Sequence, residues 1–261
     1  MKRIALVVVG MWLAFGAVAA PTVPGLPPGY VPATEEDLTK FERARVHTDL
    51  GAQYYAAGNI GVALEEFTIA TAIERRYVPA HYMLGLVYME LKDDAQAEEH
   101  FKRALDLDSS NSEARNNYGW FLCQRGKVGE SIRQFMEALK NPLYETPDKP
   151  YVNAGICTLK LRDDVGAEEY FTKALKLRPN QPQALLALAD IYFRANNFPN
   201  ARAQMIAFMK AHNPTPEALW LGVRIERKLG DRASETSYSQ MLRQRFPVSK
   251  ENQALASGLY E

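Results

Sequence analysis

Cys123 and Cys157 are the only thiols in this chain of 261 residues, and His47, His81, His100 and His212 are its only imidazoles. A nucleophilic thiol needs a base within reach, usually a histidine, yet none of the four is a sequence neighbour of either cysteine. His47 and His81 could share a metal only if a carboxylate or thiol stood in register to complete the site, and none does. Asp93-Asp94 and Asp163-Asp164 fall where inter-helix turns and first helical turns are expected, and acidic side chains there suit helix N-termini. There is no Gly-rich phosphate loop, metal-ligand cluster or Ser/His/Asp arrangement at a plausible site. The residues therefore point away from an enzyme, with no catalytic residue, cofactor or metal expected.

The remaining chemistry for the thiols is crosslinking or packing, and export would favour the crosslink. Lys2 and Arg3 precede an apolar run from Ile4 to Val18, and Ala17-Val18-Ala19 is a small-residue cleavage site. Residues 1–19 thus read as a secretory signal peptide. An uncleaved anchor is the alternative, although about 15 apolar residues are short for a bilayer span. Disulfides persist outside the cytosol. Lys plus Arg equals Asp plus Glu at 31 each, and losing Lys2 and Arg3 leaves 29 basic against 31 acidic residues. Such a balance gives no basic surface for a phosphate backbone, so no nucleic-acid partner is expected. Residues 20–33 carry five prolines between Pro21 and Pro32 and read as an extended linker. Order is expected from Thr34, which with Asp37 resembles a capping box.

The elements that position the cysteines come from an internal repeat. "LKDDAQAEEHFKRALDL" from Leu91 is echoed by "LRDDVGAEEYFTKALKL" from Leu161. Gly51, Gly85, Gly119, Gly155 and Gly222 sit in apolar helical patterns at spacings of 34, 34, 36 and 67, with Ala189 in the missing place. Twelve residues on from these six positions stand Ala63, Ala97, Ser131, Ala167, Ala201 and Ser234. Sixteen on stand Phe67, Phe101, Phe135, Phe171, Met205 and Tyr238. This register resembles the tetratricopeptide repeat, a helix-turn-helix unit of about 34 residues. Residues three and four apart share a helical face, so the glycines and their neighbours turn together toward the paired helix.

The resemblance implies an all-α fold: a right-handed superhelix of about six repeats over 44–77, 78–111, 112–147, 148–181, 182–214 and 215–247. Residues 248–261 would form a capping helix, completing a repeat domain over 34–261. Cys123 and Cys157, 34 residues apart, would lie on the first helices of adjacent units, close enough for a disulfide, with paired core thiols as the alternative.

In such arrays the first helices line the concave side. Positions about one turn from the glycine face give Tyr55, with Thr48 and Ala52, and then Tyr82, Leu86 and Met89. The third unit adds Asn116 and Trp120 beside Cys123; the fourth adds Ile156 and Leu159 beside Val152. Leu186 and Phe193, beside Asp190, continue the wall in the fifth. Only Asn116 suits a clamp for a peptide carboxylate, so an apolar strand or the apolar side of an amphipathic helix is the expected occupant. The alternative is that several of these side chains are core between units.

"NNYGWFLCQRGK" from Asn116 and "NPLYETPDKPYVNAGIC" from Asn141 carry features that helix pairing does not demand: Asn116, Trp120 and the insertion Asn141 to Pro150. They resemble the PilW/PilF family of periplasmic type IV pilus biogenesis and stability proteins. The resemblance implies a monomeric, non-enzymatic pilotin that binds the outer-membrane secretin of the type IV pilus system and supports its assembly, and hence twitching motility. Members commonly bear a lipid-attached cysteine after the signal peptide, but Ala20-Pro21 stands there, so no lipid anchor is evident and a soluble periplasmic role is expected. A general periplasmic adaptor for envelope or cell-wall proteins is the broader alternative.

Overall fold

The computed structural model describes residues 33–260. The expected signal peptide and most of the proline-rich linker lie outside the described residues. Thirteen α-helices follow one another among the described residues, with no strand between them. They pair as hairpins: α1 (Glu35–Ala56) with α2 (Ile60–Ile73), α3 (Val78–Glu90) with α4 (Asp94–Leu107), and α5 (Ser112–Gln124) with α6 (Val128–Ala138). Three more follow: α7 (Asp148–Leu159) with α8 (Asp164–Leu177), α9 (Pro182–Arg194) with α10 (Phe198–Ala211), and α11 (Pro216–Leu229) with α12 (Arg232–Arg245). α13 (Lys250–Ser257) packs on α11 and α12 and buries Leu255 there.

Caps and turns explain why the helices begin and end where they do. Thr34, Asp93, Asn111 and Asp163 each accept a backbone N–H of the helix they start, satisfying a donor that the helix itself leaves free. Each hairpin turn contains one residue with positive φ, in step with the repeat: Gly58, Lys92, Gly126, Arg162, Asn196 and Gly230. Lys92 and Arg162 hold that left-handed conformation, at φ 61° and 59°, without the freedom of glycine. α1 starts well before the first repeat of the sequence pattern, and its added turns bury Phe41 against Tyr77.

The close packing within each hairpin is a ring set on a bare backbone. A Cβ added to Gly85 would lie 2.7 Å from the ring of Phe101, and one added to Gly119 or Gly155 would meet Phe135 or Phe171 at the same distance. Gly51 stands likewise against Phe67 at 2.6 Å. The fifth hairpin solves the contact differently, pairing Ala189 with the pliable side chain of Met205, both buried. The next unit then covers each ring: Phe67 packs with Leu84 and Val87, and Phe101 with Tyr118, Phe121 and Leu122. The core is thus a continuous spine shared by successive hairpins.

Overpacking costs roughly 1–3 kcal/mol, only partly offset by the ~1 kcal/mol helix preference of alanine over glycine. Gly85→Ala should therefore lower stability in urea unfolding by about 1–2 kcal/mol. Adding Phe101→Met, the solution used by Ala189 and Met205, should restore most of the loss. An unchanged midpoint for Gly85→Ala would contradict the close-contact account.

Candidate protein-binding groove

The first helices touch in series, α1 with α3, α3 with α5, α5 with α7 and α9 with α11, whereas the second helices do not pack together comparably. An array whose first helices are the closer set curves with those helices inside. Each predicted wall position therefore comes from an element on the inner side. Tyr55, Tyr82, Leu86 and Met89 are half-buried: their inner portions pack on the core and the remainder faces outward. Trp120, Ile156, Leu159 and Leu186 have the same half-buried character, with Trp120 seated on the cluster of Cys123, Phe135, Ala154 and Cys157.

Asn116 and Phe193 are placed differently. Asn116 is only 5% exposed, and its Oδ1 accepts a hydrogen bond of 3.0 Å from Asn153 Nδ2 on the next first helix. It serves as a link between α5 and α7 more than as an open contact. Phe193 is 8% exposed and is roofed by the Arg224 guanidinium, 4.4 Å from its ring centroid. Thr48 and Val152 are buried as well, and Thr48 donates to the Ala44 carbonyl. The half-buried wall is therefore narrower than the sequence pattern.

Cys123 and Cys157 form a disulfide with Cα atoms 5.8 Å apart, wholly buried behind Trp120. It staples α5 to α7 across the junction lengthened by the insertion, where Lys160 Nζ also reaches Gln124 Oε1 at 2.9 Å. Ion pairs repeat this inter-unit locking: Arg125 reaches back to Asp94 and Arg194 to Asp164. Sequence reading placed the acidic residues at turns but missed these partners.

At the far end the wall opens into a cleft of about 390 Å³ between α9 and α11, lined by Leu186, Asp190, Glu217, Trp220 and Arg224 with Glu251 of α13. Trp220 and Arg224 lie off the register used for the wall, which in the sixth unit gives Ala218, Val223 and Glu226, all buried.

The histidines belong to a different face. His47 pairs with Glu66 at 2.7 Å, His81 with His100 at 3.2 Å and Arg115 with Gln134 at 2.9 Å, each pair 19 residues apart and one repeat from the next. His81 Nε2 meets the Arg75 carbonyl at 3.0 Å, and a carbonyl can only accept, so that nitrogen carries the proton. His81 Nδ1 then accepts from His100 Nδ1–H, and the neutral pair is satisfied. Burial holds both imidazoles below their ordinary range, with Arg103 and His100 reinforcing the effect on His81. Around them lie Thr71, Arg75, Glu99, Lys102, Arg103 and Asp106, lining a cleft of about 510 Å³, and Tyr88 stacks on His100. Among the described residues no group of three or more His, Cys, Asp or Glu side chains is placed to hold a metal ion.

A tetratricopeptide-repeat family profile matches residues 42–208. The chain belongs to the tetratricopeptide-repeat family. Over 230 residues it is 29% identical to the type IV pilus assembly protein PilF of Pseudomonas aeruginosa, an alignment spanning 86% of this chain and 91% of that one. A solved Pseudomonas aeruginosa PilF structure superposes with a TM-score of 0.74 at 29% identity, covering 84% of this chain and 99% of the other. PilW, described as a widely conserved type IV pilus biogenesis factor, superposes at 0.72 with the same identity, covering 82% and 98%. The chain is PilF/PilW-like over nearly its whole repeat array, and its fold is a protein-interaction scaffold, not an enzyme's. No described helix is long and apolar enough to cross a membrane.

Because the folded histidine pair resists protonation, the stability it contributes is complete above the ordinary histidine value of 6.5 and falls as pH drops below it. The depressed carboxyls of Asp94 and Glu98 contribute above their ordinary 3.8 and 4.5 and fail only at lower pH. Thermal melts should therefore lose less between pH 7 and pH 5 in the double variant His81→Gln, His100→Gln than in the parent; equal losses would contradict the neutral pair. For the staple, replacing both Cys123 and Cys157 with Ser should cost roughly 2–4 kcal/mol in urea unfolding. A non-reduced digest of the parent that lacked the linked cysteine peptides would remove that prediction's basis.

Proposed function

We propose that this protein is a periplasmic scaffold of type IV pilus biogenesis that binds the outer-membrane secretin along its concave wall and supports the secretin's assembly. The observation that carries the proposal is likeness to PilF and PilW over 84% and 82% of this chain, 29% identical, with TM-scores of 0.74 and 0.72. The wall's chemistry supports it. Half-buried Tyr82, Leu86, Trp120 and Ile156 offer apolar surface with little conformational entropy left to lose, which suits an apolar strand or amphipathic helix. A buried disulfide is consistent with an oxidising compartment.

Residues 20–261 immobilised on a support and exposed to detergent-solubilised envelope should retain the secretin subunit, identified by mass spectrometry. Trp120→Ala should reduce that capture at least fivefold. Deleting the gene should also remove secretin multimers and surface pili. Intact secretin multimers in the deletion strain would refute the pilus reading, and capture of cell-wall enzymes in place of secretin would favour a general envelope adaptor.

A further inference from the structure

The last hairpin breaks the repeat pattern on its inner side. Trp220, Arg224 and Arg227 stand at i, i+4 and i+7 and share one face of α11. Equivalent positions carry Ala187, Ile191 and Arg194 in α9 and Asn153, Cys157 and Lys160 in α7. Repeat packing therefore does not call for a tryptophan followed by two arginines.

The chain itself shows what this stripe can hold. After α13, Gly258 turns the backbone through a left-handed conformation at φ 68°, and the following segment crosses back to α11. Tyr260 stacks on Trp220 with ring centroids 5.5 Å apart and planes inclined by 25°. The Arg227 guanidinium lies 3.8 Å from the centroid of the same ring, and Arg224 Nε donates to the Tyr260 carbonyl at 3.1 Å. An aromatic side chain and its own backbone carbonyl are thus recognised together, the ring by an indole and a cation and the carbonyl by a charged donor.

Tyr260 sits at the edge of the cap, packed against the cluster of Leu219, Val223, Leu242 and Leu255 but only partly buried. Leu255 of α13 seals Leu219, Val223 and Leu242, whereas Leu259, beside Tyr260, is 66% exposed. Trp220 and Arg224 also line the cleft of about 390 Å³ that continues toward α9. Arg224 spans both features by packing over Phe193.

We propose that the Trp220, Arg224 and Arg227 stripe is a docking subsite for an aromatic residue of an extended partner peptide, and that the chain's own Tyr260 fills it as a displaceable internal ligand. This rests on the reading that the concave face holds a protein segment. The occupant is a tyrosine, phenylalanine or tryptophan whose main-chain carbonyl is free to meet Arg224. A partner residue that uses this stripe must first displace Tyr260, so the segment after α13 lowers affinity for peptides that lack enough additional contacts.

The test uses a Trp120→Phe background of residues 20–261, in which Trp220 is the sole tryptophan. Its emission is compared among that chain, the same chain stopped at Gly258, and Tyr260→Ala. The probe is the acetylated peptide Leu-Ala-Ser-Gly-Leu-Tyr-Glu, residues 255–261. Truncation and Tyr260→Ala should both red-shift the emission. The peptide should reverse the shift saturably, bind both opened chains at least tenfold more tightly than the closed one, and lose binding when its Tyr is replaced by Ala. Adding Arg224→Ala to an opened chain should weaken binding at least fivefold. No saturable binding to the opened chains, equal binding to opened and closed chains, or binding indifferent to the peptide's Tyr would overturn the proposal. Unfolding of Tyr260→Ala would do so too, by making the contact structural. Because the probe is the chain's own segment, a negative result leaves the secretin reading untouched, and a missing secretin contact leaves this one untouched.

Discussion

An aromatic ring pressed against a helix that has no side chain at the point of contact fixes the geometry from which everything else follows. In each of the first four hairpins the ring comes from a phenylalanine sixteen residues after the glycine, close enough that a methyl group could not fit between them. That approach sets the crossing of the two helices, and the crossing fixes how the next hairpin lands on the exposed ring. Curvature accumulates from this repeated step, with first helices in contact inside and second helices spread outside. Ala189 with Met205 shows that the step tolerates another chemistry when bulk on one helix is matched by pliability on the other.

Whatever repeats with the period was legible in the sequence. The glycines, the small and aromatic positions and the hairpin count all follow from one register. What the sequence did not disclose is contact between residues whose separation is not the period. Arg125 meets Asp94 across 31 residues and His81 meets His100 across 19, and neither pairing is implied by a list of similar segments. The burial of Asn116 and Phe193 was hidden for a related reason. Both stand on first helices, as the register has them, but Asn153 and Arg224 from neighbouring helices lie over them. The left-handed turns at Lys92 and Arg162 were also opaque, since the residue types favour no such conformation and only the position does.

The array is not uniform along its length, and the departures concentrate where binding would be controlled. Between α5 and α7 the added residues would loosen the junction, yet the disulfide and the Asn116 to Asn153 bond tie those two helices directly beneath Trp120. A side chain backed by a covalent staple gives a partner a rigid surface and reduces the ordering cost of binding. The opposite end has a cleft whose border, Trp220 and Arg224, also carries the chain's own Tyr260. A fixed middle and an adjustable end would let one apolar wall select among segments that share hydrophobicity but differ in their aromatic residues.

On the proposed function, the inner curve, and not the outer helices, holds another protein. Site-specific photo-crosslinking in living cells tests it directly, with a photoreactive residue placed in turn at Leu86 and Ile156 on the inner wall and at Val165 and Ile206, which are 74% and 57% exposed on second helices. The inner positions should yield one discrete crosslinked species containing the secretin subunit, and the outer positions should not. Secretin crosslinks confined to Val165 and Ile206 would contradict that reading.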